Sequence, residues 1–205
     1  MRVRDERPEV KLMNYLISLA RRLDEENSES RAVLAELRRG DEPLRIARHV
    51  EPHLNDRLGQ EEQMLLYRLA TLFAWHRRHQ PKVSLGAAFR TLQAKQRQDG
   101  GEPEETSEEK KRLTPAERRF LELLTTPRDR LMSPLHHAVR LLESKEIGFD
   151  WHQLTYDLLH WEDEGHLRQH ALARDFYRRS DTREDSFLSA SDETFEQDAE
   201  GDDEE

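Results

Sequence analysis

Hydrophobic positions recur along most of this chain at helical spacing, and the polar residues between them supply helix starts and stops. Over 9–26, Leu12, Tyr15, Leu16, Leu19 and Leu23 fall on one side. A second helix is predicted from a Ser30 cap through Val33, Leu34 and Leu37 to Gly40. Asp41 is placed to cap a short helix that Pro52 ends. The stretch 60–79 is strongly apolar on one face, with Met64, Leu65, Leu69, Leu72, Phe73 and then Trp75 and His76. Ser84 opens a further helix through Leu92 to Arg97.

Downstream, Thr114-Pro115-Ala116-Glu117 reads as a capping box with proline at the first helical position, leading into Phe120, Leu121 and Leu124. Ser133-Pro134 starts a helix carrying Leu135, Ala138, Val139, Leu141 and Leu142. Asp150 with Gln153 caps the next one. There Trp151, Leu154, Leu158 and Trp161 stand at i, i+3, i+7 and i+10, one apolar stripe. Gly165 separates it from a last helix that closes on ARDFY. Trp151, Trp161 and Phe176 are expected in the core. No alternating run of β-branched residues suggests a sheet. The fold class is therefore all-α, a compact bundle of about eight or nine helices in two halves, 1–97 and 113–179. An acidic linker at 98–112 joins them and an acidic tail follows at 180–205; both compositions predict disorder.

Charge changes this picture. The chain carries a net −10, but residues 180–205 hold twelve acids and one Arg, and residues 98–109 hold six acids and no base. Setting aside those −11 and −6 leaves +7 on the foldable remainder. Its bases are mostly arginine, 27 against 6 lysines. A planar guanidinium suits phosphate; a GC-rich genome would raise the arginine count as well. Arg38-Arg39, Arg77-Arg78 and Arg118-Arg119 are pairs, and Arg140, Arg168 and Arg174 add single charges. Any one could be a solvated face or half of an i, i+4 pair such as Arg118 with Glu122. Together they make a reasonable phosphate-backbone surface.

Other chemistry is sparse. There is no Cys, so disulfides and thiolate metal sites are excluded. No apolar run approaches the roughly 20 residues of a membrane span. The start, MRVRDERPEV, lacks the apolar core of a signal peptide, so the expected location is cytoplasmic, with no membrane partner. Gly-rich phosphate loops and HExxH are absent. His49/His53 and His166/His170 have i, i+4 spacing, but Pro52 interrupts the first pair and the second has no third ligand nearby in sequence. No catalytic residue, metal ligand or cofactor is assigned, and an enzyme is not expected.

The chain resembles the CasB family, the small subunit of the type I-E CRISPR surveillance complex called Cascade. The likeness rests on NYLISLARRL, RAVLAELRRG, LLYRLATLFAWH and SLGAAF, then ERRFLELLTTPRDRLMSPLHHAVRLL, FDWHQLTYDLLHW and ARDFY, in that order. It implies a non-enzymatic helical subunit, commonly present as two copies, that contacts other Cascade subunits. It also implies backbone contacts that help hold the guide RNA–target DNA duplex and the displaced strand, since guide pairing supplies sequence specificity. Carried over by residue, Arg39 in LRRG looks like a nucleic-acid contact, with Arg38 beside it. Arg140 in AVRLL matches a basic position. Arg118 and Arg119 match an Arg pair that faces either nucleic acid or a neighbouring subunit, and Arg57 lies in a loosely aligned segment. Some relatives carry Lys and Arg in the turn after the second Trp. Here that turn reads Glu162-Asp163-Glu164-Gly165-His166, leaving Arg168 as a substitute one turn later. The rival reading is a purely structural helical adaptor whose Arg clusters bind protein carboxylates. The acidic tail is expected to shield the basic face until nucleic acid or partner subunits displace it.

Overall fold

A computed structural model describes residues 7–24, 27–40, 43–54, 58–99 and 113–178. Among them lie nine α-helices: α1 (Pro8–Asp24), α2 (Ser28–Arg38), α3 (Pro43–Val50), α4 (Gln60–Trp75), α5 (Leu85–Asp99), α6 (Pro115–Thr125), α7 (Met132–Ser144), α8 (Trp151–Leu159) and α9 (Leu167–Tyr177). Among the described residues, β-pairing is confined to one isolated parallel bridge between His79 and Phe149. The all-α expectation holds. None of these helices is long and apolar enough to cross a membrane.

Three predicted caps are in place. Ser84 Oγ accepts from the Ala87 N–H at 3.2 Å, and Thr114 Oγ1 accepts from the Glu117 N–H at 3.2 Å. Asp150 Oδ1 accepts from the His152 and Gln153 N–H groups at 2.9 and 3.2 Å. Each satisfies orphan donors of a first helical turn.

Other boundaries differ from expectation. The cap of α2 is Asn27, not Ser30: Asn27 Oδ1 accepts from the Ser30 N–H at 3.0 Å, and Ser30 is buried inside the first turn. Helix α4 stops at Trp75, short of 79, because His76 turns extended (φ −123°, ψ 93°) and sets Nε2 2.7 Å from the Ile147 carbonyl. The extended chain beyond then pairs His79 with Phe149, and Gln80 N–H donates to the Phe149 carbonyl at 3.0 Å. That tertiary pairing overrides the helical pattern. Helix α5 continues to Asp99, so the first two residues of the expected linker are helical, and α7 begins one residue early at Met132. Asp41, the rest of the linker (100–112) and residues 179–205 lie outside the described residues.

The buried side chains form one cluster that draws on all nine helices. Helix α4 packs on α1, α2 and α3 and also on α7 and α8, while α5 packs on α6 and α9. Trp151 is fully buried against Phe149 (ring centroids 4.7 Å) and Phe73 (5.3 Å), tying the start of α8 to the end of α4. Trp161 is buried with its Nε1–H donating to the Thr126 carbonyl at 3.0 Å, and Phe176 stacks on Phe120 at 4.6 Å. All three rings named as core in the sequence are core. Close approach of α5 to α9 depends on Gly86, where a Cβ would stand 2.1 Å from the Leu172 carbonyl oxygen. Gly165, at φ 77°, supplies the left-handed turn between α8 and α9.

Candidate nucleic-acid interface

The ends of α2 and α4 and the outer face of α7 meet at Trp75. In α7 the buried positions are Leu135, Ala138, Val139 and Leu142, which leaves His136, His137 and Arg140 facing outward. Arg140 Cζ lies 4.4 Å from the centroid of the Trp75 ring. Arg38, the last residue of α2, reaches the same ring, with Cζ 5.7 Å from its centroid. Its Nε–H donates to the Ala74 carbonyl at 2.7 Å, an acceptor in the last turn of α4 where the helix dipole is negative. Two arginines 102 positions apart in the chain are thus brought to one half-buried indole. Each guanidinium over an aromatic face contributes about 0.5–1 kcal/mol at an exposed site. Among the described residues no carboxylate pairs with Arg38, Arg39, Arg118, Arg119 or Arg140.

The basic character continues to both sides. Arg140 and His137 share a shallow cavity of about 320 Å³ with Arg119 of α6 and with Glu122, floored by Ala138 and Leu141. On its other side Trp75 borders a groove of about 700 Å³ that also holds Arg21, Arg77, Arg78 and His79. Carboxylates interrupt this groove: Glu143 and Glu146 line it, and Arg78 pairs with Glu146 at 2.7 Å. Partial burial holds the His136 ring below its usual pKa, and the neighbouring His137 and Arg140 push it the same way.

The sequence-named arginines therefore divide. Arg38, Arg119 and Arg140 are brought to one continuous strip. Arg39 is exposed next to Arg38, and Arg118 is exposed beside Arg119 without lining the shared cavity. Arg57 lies outside the described residues. Arg168 is held inward, its Nη1 3.9 Å from Asp157 and its Cζ 5.0 Å from the centre of the Tyr156 ring. The acidic turn is exposed, and its Glu162 borders a separate cavity with Arg68 and Arg128. Trp75 is the residue that sequence reading assigned to the apolar face and that the fold places in the strip. A signal was present: it follows exposed Arg68 by seven positions and half-buried Thr71 by four, so it shares their polar margin.

Among the described residues no group of three or more His, Asp or Glu could hold a metal ion. His49 meets Glu36 at 2.7 Å, and His53 stacks on Tyr15 at 4.3 Å, so this spaced pair does not converge.

No curated protein matches the chain. Solved structures do. A CRISPR-associated protein of the Cse2 family from Thermus thermophilus is 29% identical, with TM-score 0.59 over 79% of this chain and 95% of that one. CasB from M. ruber is 26% identical, with TM-score 0.59 over 78% and 91%. A chain of a CRISPR RNA-guided surveillance complex shares the fold at 22% identity, with TM-score 0.54 over 82% and 93%. The family model of CRISPR-associated protein Cse2 matches residues 33–177, from α2 to the end of α9, including every helix that builds the Trp75 strip. The chain belongs to the Cse2 family of CRISPR-associated proteins, the family in which the similar CasB structures fall.

Proposed function

We propose that this chain is the non-catalytic small subunit of a type I-E Cascade complex in the cytoplasm. In that assembly it binds nucleic-acid backbone to stabilise the guide RNA–target DNA hybrid and the displaced strand. Its partners are the other Cascade subunits, the guide RNA and the target DNA, and two copies enter each complex. The observation that carries this reading is the convergence of Arg38 and Arg140 on Trp75, with Arg119 beyond, none of them paired with a carboxylate among the described residues. A strip of guanidiniums on a rigid helical surface neutralises phosphates without reading bases, which suits a complex whose guide reads the sequence. Arg39 and Arg118 flank the strip as further backbone contacts. Arg57 completes the set from the segment between α3 and α4. Arg168 contributes charge from behind Asp157.

The test is charge reversal of Arg38, Arg39 and Arg140 in the assembled complex, with Arg119→Glu/Arg140→Glu beside it, because Arg38 also caps α4. Complexes should form, bind target DNA more weakly, and lose about one unit of salt slope for each phosphate contact removed. Failure to assemble, with DNA binding intact in whatever complex does form, would instead establish the adaptor reading. In that case the same arginines bind protein carboxylates.

A further inference from the structure

We infer that residues 180–205 dock on the Arg119–Arg140 strip of their own chain and compete there with nucleic acid. This rests on the backbone-binding reading of that strip. Three observations lead to it. First, the segment carries net −11 against +7 on the foldable remainder, and the strip's arginines have no carboxylate partner among the described residues.

Second, the described chain ends against α6, the helix that carries Arg119, on the flank opposite the Arg119 side. Tyr177 OH donates to Glu117 Oε1 at 2.9 Å, and Arg90 Nη1 donates to the Asp175 and Arg178 carbonyls at 2.9 and 3.1 Å. The end of α9 is thereby fixed to α5 and to the first turn of α6, next in sequence to Arg118 and Arg119. Arg174 and Arg178 border a shallow cavity of about 420 Å³ at this exit together with Asp175 and Tyr177, so two guanidiniums stand where the described chain stops.

Third, the tether is long enough. Residues 179–205 number 27, and random-coil scaling for that many residues gives a reach on the order of 25–30 Å, comparable to the width of a small domain. A short flexible tether gives a local concentration in the millimolar range. Individually weak carboxylate–guanidinium contacts then suffice for partial occupancy. Competition of this kind lowers apparent nucleic-acid affinity several-fold, up to about tenfold, and not by orders of magnitude.

Three forms of the chain separate the possibilities: the full chain, a chain ending at Arg179, and a full-length chain whose twelve acids in 180–205 are changed to amides. The amide form keeps length and guards against a truncation that folds badly. Binding of a labelled single-stranded DNA oligonucleotide is followed by anisotropy at low and at high salt. A peptide of residues 180–205 is titrated separately into the chain ending at Arg179 and into its Arg119→Glu/Arg140→Glu variant. Expected are several-fold tighter DNA binding by both altered forms at low salt, a gap that closes as salt rises, and peptide binding that the double variant abolishes. Equal DNA binding by all three forms overturns the docking while the backbone-binding reading stands. Peptide binding without DNA binding by any form supports the docking and removes the backbone-binding reading. Absence of both overturns both.

Discussion

Asp157 is a carboxylate at 2% exposure on α8, facing Gln153, Arg168, His160 and a second carboxylate, Asp175. Burial raises its pKa to about 6 and Asp175 adds to the rise, while the Gln153 hydrogen bond at 2.9 Å and the charge of Arg168 oppose it. Since the free side chain ionises near 3.8, the folded chain holds a proton between 3.8 and about 6 that the unfolded chain has released. The stabilising contribution of this group is complete below the lower value and is lost as pH rises through the upper one. Asp157→Asn keeps an acceptor for Gln153 and removes the titration. Its expected effect is a gain on the order of 1–3 kcal/mol at about pH 7.5, shrinking towards zero near pH 4. Thermal melts across that range check it, and a variant less stable than the parent at the upper pH would mean that Arg168 outweighs burial. The same contact bears on what a sequence discloses about single residues. Arg168 read as a surface charge because its tether, Asp157, lies eleven positions upstream and across the α8–α9 turn. Trp75 read as part of an apolar face because an indole scores as apolar wherever it stands; its half-burial depends on the partners that arrive from α2 and α7.

Helix starts were legible because a cap is a local exchange between one side-chain oxygen and an N–H two or three residues on. Thr114, Ser84 and Asp150 were found that way. Asn27 was missed only because Ser30, an equally good acceptor by type, stands one turn later. Ends set by distant contacts were not legible: α4 stops where His76 meets Ile147, 71 positions away. Glu117 was read as the reciprocal arm of a capping box, yet its carboxylate accepts from Tyr177 of α9. Packing between α5 and α9 was likewise silent in sequence, although its key residue, Gly86, sits in plain view in SLGAAF. Glycine inside a helix costs about 1 kcal/mol relative to alanine, so Gly86→Ala should stabilise an isolated α5. In the folded chain the added methyl meets the Leu172 backbone at 2.1 Å, and backbone cannot rotate away. The two helices must part, exposing Phe89 and Phe176. We expect a net loss of about 1–3 kcal/mol or more, read by chemical denaturation. An unchanged or raised midpoint would show that α9 shifts freely on α5.

The molecule as a whole keeps two properties that averages conceal. Net charge describes neither the basic helical body nor the acidic segments, and only their separation along the chain made a basic body legible before any helix was placed. The other concerns the expected division into two halves. It follows sequence composition, because an acidic stretch interrupts the helices, but burial does not respect it. Leu85, Ala88, Phe89 and Leu92 of α5 are fully buried or nearly so, and α5 lies before the acidic stretch while its partners α6 and α9 lie after it. From the other side, Trp151 of α8 packs on Phe73 of α4. A fragment of residues 1–97 would therefore expose one side of α5 and the end of α4, and a fragment of 113–179 would expose Phe120, Phe176 and Trp151. Each fully exposed large side chain forfeits about 1.5–3 kcal/mol, and a handful exceeds the roughly 5–15 kcal/mol that holds a typical domain together. Neither fragment should fold alone: each should show weak helical circular dichroism and no cooperative melt. Mixed in equal amounts they should regain most of the helical signal and a single melting transition, because the packing of α5 on α6 and α9 and of α4 on α7 and α8 is restored. Two cooperative transitions from the separate fragments would identify the halves as autonomous domains and would move the stabilising contacts of the Trp75 strip to an interface between them.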